Sequence, residues 1–212
     1  MKHLISLLVI FSFIYAGNTC AEDVSPPDWR DNGEEGLTFQ HWDFTDPINW
    51  APEVCSNVFG EPLTDIMGGV WTNGLQHPTD PTGMPATGWY FPEDGSGIIL
   101  VIRNRPEETM FKVIRLQITS TKAPKIGITS DSGTTASNIF SQPIQHGGTP
   151  YYTYISDWIL RPNPEYEVIT ITFPFDTILE EIVVDTWCTP EPACWIPALL
   201  VFWLIRRQFI VN

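Results

Sequence analysis

The chain has 212 residues and sets 11 Lys and Arg against 25 Asp and Glu, a formal net charge of −14. Such a balance repels nucleic acid and anionic lipid and speaks against phosphate binding. It is compatible with divalent cations, with neutral polysaccharide and with plain solubility, while 43% hydrophobic and 13% aromatic content excludes wholesale disorder.

Residues 1–21 read as a secretory signal peptide. Lys2 and His3 give a charged start, Leu4 to Ala16 an apolar run, and Thr19 and Ala21 the small residues before a cut at Glu22. The run suits a signal helix and is short of the ~20 residues a stable span needs. Cys20 invites a lipoprotein reading, but Asn18 and Thr19 fit a lipobox poorly. Residues 22–36 are acidic, contain Pro26-Pro27 and Asp31-Asn32-Gly33, and predict a flexible leader.

Residues 37–188 show no sustained helical period and are punctuated by Pro and Gly, the pattern of an all-β domain. Leu37 to Phe44 predicts the first strand. Asp46 to Thr87 predicts long loops holding one or two short strands, one of them near Gly69 to Trp71. Trp89 to Phe91 and Ile98 to Ile102 read as a hairpin turned by Asp94-Gly95. Phe111 to Thr119 places Ile114, Leu116 and Ile118 on one face and Arg115, Gln117 and Thr119 on the other. Lys125 to Thr129 is a short strand, and Ser130 to Pro150 a polar loop. Tyr151 to Leu160, Glu167 to Phe173 and Glu181 to Trp187 complete the set, with Ile169, Ile171 and Phe173 turned inward. Such strands suit a two-sheet antiparallel sandwich, jelly-roll-like, with a signal helix before it and a short apolar helix after it.

Residues 189–212 have a character of their own. Pro190-Glu191-Pro192-Ala193-Cys194 leads into an apolar stretch from Trp195 to Ile205, closed by Arg206-Arg207. At ~1.5 Å per residue the stretch covers roughly half a ~30 Å hydrocarbon core. Motif, apolar segment and basic end together resemble the PEP-CTERM sorting signal, in its Pro-Glu-Pro-Ala-Cys variant. The resemblance implies processing by an exosortase, a membrane protease-transpeptidase, following signal peptidase at the other end. It further implies a surface or matrix destination linked to exopolysaccharide, and leaves the activity of the domain open. Pro197 and the residues after the arginines depart mildly from the pattern. Lys2 and Arg206-Arg207 would both stay cytoplasmic under the positive-inside rule, which makes the chain a transient membrane hairpin.

Catalytic chemistry leaves little trace. His41, His77 and His146 lie at no metal-ligand spacing, and neither a His-Glu-x-x-His motif nor a nucleophile elbow occurs. Asp28 to Gly36 fails the EF-hand pattern. A structural calcium, if the sandwich holds one, would draw on Asp43 and Asp185, which otherwise read as solvated strand-end carboxylates. Cys55 and Cys188 are the two cysteines left in the body and form a disulfide candidate in an oxidising compartment. Among the body tryptophans, Trp50, Trp71 and Trp89 lie near loops and are the candidates for a glycan platform, core packing being the alternative for each. The sequence thus supports a non-catalytic exported surface protein. A stand-alone carbohydrate-binding module is the alternative, and a small secreted hydrolase a weaker third.

Overall fold

The computed structural model of the protein describes residues 23–32, 36–44, 51–76, 85–104, 110–130, 135–147 and 149–190. The expected signal helix and C-terminal apolar helix lie outside these residues. Among those described, the fold is all-β: two antiparallel sheets enclose one main core, and the helical element is a single 3-10 turn, Arg30–Asn32.

In the larger sheet β11 (Tyr152–Arg161), β7 (Met110–Ser120), β13 (Thr177–Pro190) and β1 (Leu37–Asp43) lie side by side in that order. On one edge β9 (Thr135–Phe140) and β10 (Ile144–Gln145) pair with successive stretches of β11; on the other, β2 (Val54–Ser56) pairs with β1. Beside the start of β13 the place of β1 is taken by β5 (Pro85–Phe91), which carries β4 (Val70–Gln76) outside it. The smaller sheet runs β3 (Leu63–Met67), β6 (Gly97–Arg103), β12 (Tyr166–Thr172), β8 (Lys125–Ser130).

Alternation of side chains builds the core. Ile114, Leu116 and Ile118 of β7 meet Ile98, Leu100, Ile169 and Ile171 of the smaller sheet, all fully buried. This is the period-two pattern the sequence predicts, because successive side chains of a strand point to opposite faces. Where β6 passes β12 the backbones come so close that a Cβ on Gly97 would overlap the Ile171 carbonyl, so no larger residue fits there.

Three expectations are corrected. The segments around Asp94-Gly95 form no hairpin: β5 belongs to the larger sheet and β6 to the smaller, so the turn is a crossover, with Gly95 at φ 83°. Phe91 stacks on Phe173 at 4.6 Å beneath it, and this burial holds the crossover closed. The polar stretch after Ser130 contains β9 and β10, edge strands whose hydrogen bonds come from β11 rather than from burial of their own side chains. The leader is a docked strap over Asp23 to Asn32, held by ion pairs and not loose.

One charged group ties the two sheets through the interior. Lys112 of β7, fully buried, places Nζ 2.6 Å from Glu167 Oε1 of β12. Asn104 bridges them, accepting from Lys112 and donating to the second Glu167 oxygen. Burial pushes the Glu167 carboxyl up, against the pull of Lys112 and Asn104. Removing one partner of such a pair leaves an uncompensated charge, whereas removing both restores an apolar interior. Lys112→Met is therefore expected to lose about 3–5 kcal/mol of stability in denaturant titrations. Lys112→Met combined with Glu167→Leu is expected to recover most of it.

Candidate functional site

The face of the larger sheet turned away from the core carries the polar chemistry. Cross-strand register aligns it in rows. Phe39, Asp185, Arg115, Asp157 and Ile139 form one row from β1 to β9; Trp187, Val113, Ile159 and Ser137 form the next. Further along, Asp43, Glu181, Thr119 and Thr153 line up on β1, β13, β7 and β11.

The strap crosses this face. Arg30 reaches both oxygens of Asp185, which is fully buried, and also pairs with Asp23. Gln117 donates to Asp23 Oδ1 at 2.5 Å and accepts from the Ser25 amide at 3.0 Å. Arg115 donates Nη1 to the Ser25 carbonyl at 3.3 Å. Trp29 stacks on Trp187 with centroids 6.0 Å apart and planes at 28°. Pro26-Pro27 fixes the entry of the strap in extended backbone, and the turn at Arg30 aims its guanidinium at the sheet.

A second network runs across four strands. His41 Nε2 lies 2.7 Å from Glu181 Oε1; Thr119 donates to Glu181 Oε2 at 3.3 Å and shares a 2.8 Å bond with Thr153, whose hydroxyl meets His146 Nε2 at 2.7 Å. The bond to Glu181 raises His41 above the usual imidazole range, and burial raises Glu181 despite His41 and Thr119. Burial also pushes Asp185 up to about 6 against the pull of Arg30. It pushes Glu180 up to about 7, with Glu181 and Asp43 adding repulsion. Glu181 is engaged on both oxygens and its side chain is 4% exposed, so it serves the sheet rather than a substrate.

Between the strap and β9 the same face opens into a groove of about 360 Å³, within the size range of small-molecule sites. Val113 and Ile159 line it together with Trp29 and Ile139, and Arg115 and Asp157 contribute a two-bond pair at 2.7 and 2.8 Å. A smaller hollow of about 210 Å³ lies on the other side of Trp29, among Arg30, Leu37, Phe39 and Ser56.

Of the residues singled out in the sequence, Trp71 and Trp89 face each other in register, and Trp89 packs against the main core. Both are half-buried, on the side of their strands that carries Phe91. Trp50 lies outside the described residues. Asp43 pairs with Glu181 and Asp185 with Phe39, four residues further along β1; at ~3.3 Å per residue they are about 13 Å apart and share no site. Cys55 is exposed on β2, while buried Cys188 turns its thiol to Asn163 at 3.6 Å. The two do not pair: β1 separates their strands, and Cys55 lies level with Val184, four residues short of Cys188, which sets them about 16 Å apart, beyond disulfide reach. Pro190 ends β13 opposite Met110; Glu191, Pro192, Ala193, Cys194, Arg206 and Arg207 lie outside the described residues.

Trp29, Asp157 and Ile139 carry the groove, and sequence reasoning passed them over. Parity marks Asp157 alone, which falls on the outward phase of β11 as Arg115 does on β7; Trp29 and Ile139 carry no such signal. That parity becomes a contact only once β7 and β11 are known to be neighbours.

Glu180 and His41 both hold protons more tightly in the fold than in the unfolded chain. The resulting stability is fully present below their ordinary pKa values and is lost as pH rises through the raised ones, about 7 for Glu180. The unfolding midpoint is expected to fall from about pH 5 to about pH 8. Glu180→Gln should flatten that fall, gaining roughly 2 kcal/mol at the alkaline end and little at the acid end. Thermal melts across this range check it; a slope unchanged in a natively folded variant would refute the assignment.

No known protein family, no curated protein and no solved structure is significantly similar to the chain, so a functional reading rests on the arrangement of its own residues.

Proposed function

We propose that the protein is an exported, non-catalytic β-sandwich of the cell surface or extracellular matrix, trimmed by signal peptidase at one end and by an exosortase at the other. The support lies in the two ends of the sequence: the charged start and apolar run before Glu22, and the Pro190-Glu191-Pro192-Ala193-Cys194 motif with its apolar segment and Arg206-Arg207. Removal of both ends would leave the strap, its ion pairs and the whole of β13 in place. Asp23, which pairs with Arg30 and Gln117, would then sit beside the new amino terminus.

The sandwich is jelly-roll-like in that the chain changes sheets repeatedly, from β5 to β6, β7 and β8 and again from β11 to β12 and β13. Its role is structural or adhesive within extracellular polymer, and it has no part in nucleic-acid binding. The open groove beside Trp29 favours a second reading, a stand-alone carbohydrate-binding module, over the small secreted hydrolase.

Intact-mass spectrometry of the protein recovered from the organism that makes it tests the sorting reading. The expected mass lacks residues 1–21 and everything beyond a cut between Pro190 and Cys194, with any added mass reporting an anchor. A mass that retains Trp195 to Asn212 would overturn it.

A further inference from the structure

We infer that the groove between Trp29 and β9 binds a neutral polysaccharide chain, with Trp29 as the stacking wall and Arg115–Asp157 as the pair that reads hydroxyl groups. The inference rests on the carbohydrate-binding reading and gives it a site.

A sugar ring has an apolar face of C–H groups and an edge of hydroxyls, each of which both donates and accepts. The groove matches both halves. Val113 and Ile159, adjacent in one cross-strand row, offer an apolar lining, and Ile139 stands 72% exposed on the outer wall. Trp29 supplies the aromatic surface on which C–H faces stack. In the next row Arg115 and Asp157 hold each other in a planar, two-bond geometry with 23% and 33% of their side chains still exposed. Their outward-facing donor and acceptor atoms are therefore fixed before a ligand arrives, and Ser137 and Asn138 add further polar groups at the rim. Fixing these groups in advance reduces the entropy lost on binding. Trp29 is fixed in the same way, backed by Trp187 and carried on a strap pinned through Arg30.

Charge and shape select the ligand within the sugars. Arg115 is matched by Asp157, and Arg30 by Asp185 and Asp23, so neither offers an unmatched positive charge to a carboxylate or sulfate. The chain as a whole carries −14 and repels polyanions. Because Trp29 borders both the larger groove and the smaller hollow beside Leu37 and Phe39, it forms a ridge with binding surface on each side. Such a track fits successive residues of a polymer better than one monosaccharide.

The test uses the processed protein recovered from its producing cell, in affinity electrophoresis and calorimetry. The probes are soluble xylan, mannan, β-glucan and dextran, with alginate as the anionic comparison. Saturable binding to at least one neutral polymer is expected, with alginate inert. Trp29→Ala should weaken binding at least tenfold. Since that change also loosens the strap, Ile139→Glu provides a second test: it places a charge on an exposed groove wall, should weaken binding similarly, and should leave the melting temperature unchanged. Phe175→Ala, at an exposed aromatic away from the groove, should bind as the parent does. Failure to bind any neutral probe, binding indifferent to both groove variants, or preference for alginate would each overturn the inference. A chain cut at both ends that binds nothing defeats this inference alone. Binding by a chain that keeps its tail defeats the sorting reading alone.

Discussion

Two carboxylates buried on the outer face of the central strand govern how the rest of the large sheet is arranged. Asp185 and Glu181 sit on β13, flanked by β7 and β1, where withdrawal from water is disfavoured by several kcal/mol per ion. The fold must bring partners to them. His41 comes from the neighbouring strand; Arg30 comes from 155 residues away in sequence. Because Arg30 belongs to the strap, satisfying Asp185 draws Asp23 to Asn32 across the sheet. That placement in turn covers Gln117, seats Trp29 on Trp187 and walls the groove. Buried ion pairs of this kind contribute little net stability against an apolar alternative, yet breaking one is severe. Their effect here is to specify where the strap docks.

The interior repeats the logic with a different purpose. Lys112 and Glu167 link the two sheets in a layer otherwise built from Ile, Leu, Val and aromatic side chains. Apolar packing is tolerant of small shifts in register and orientation, whereas a lysine with a carboxylate and an amide oxygen in reach has one satisfactory position. Asn104, at the end of β6, completes the set. Three strands from two sheets are thereby fixed relative to one another at the end of the sandwich where β6 and β12 leave the core.

What was legible in the sequence follows from where the information resides. Ile114, Leu116 and Ile118, and Ile169, Ile171 and Phe173, alternate with polar residues, and local periodicity suffices to place them inside. The strap could not be read this way. Proline pairs and acidic residues look the same in a loose leader and in a docked one, and the difference is Asp185, invisible from Arg30 in one dimension. β9 and β10 escaped notice because Ala136 to Phe140 and Ile144 to Gln145 are exposed on both faces, so no burial pattern marks them; β11 supplies their hydrogen bonds. The turn at Asp94-Gly95 is correctly a turn, but which sheet follows it depends on Phe91 meeting Phe173. The tryptophans mislead for a related reason. Loop-rich surroundings suggest exposure for Trp71 and Trp89, while Trp89 shares a face of β5 with buried Phe91, and Trp71, opposite it in register, lies on that same side.

The same scarcity of cations shapes both the surface and the ligand that suits it. Of only 11 Lys and Arg in the chain, Lys112 is sealed inside, while Arg30 and Arg115 are engaged with Asp23, Asp185 and Asp157. Pairing these three leaves the solvent-facing surface poorer in positive charge than composition alone implies. Such a surface repels polyanions. It also means that recognition, where it occurs, has to rely on apolar stacking and on hydrogen bonds from groups already matched in charge. Trp29 beside the Arg115–Asp157 pair is that combination, placed on the sheet face by the ion pairs that consume the cations. Arg30 on Asp185 fixes the strap that carries Trp29, and Arg115 on Asp157 leaves the groove beside it without an unmatched charge.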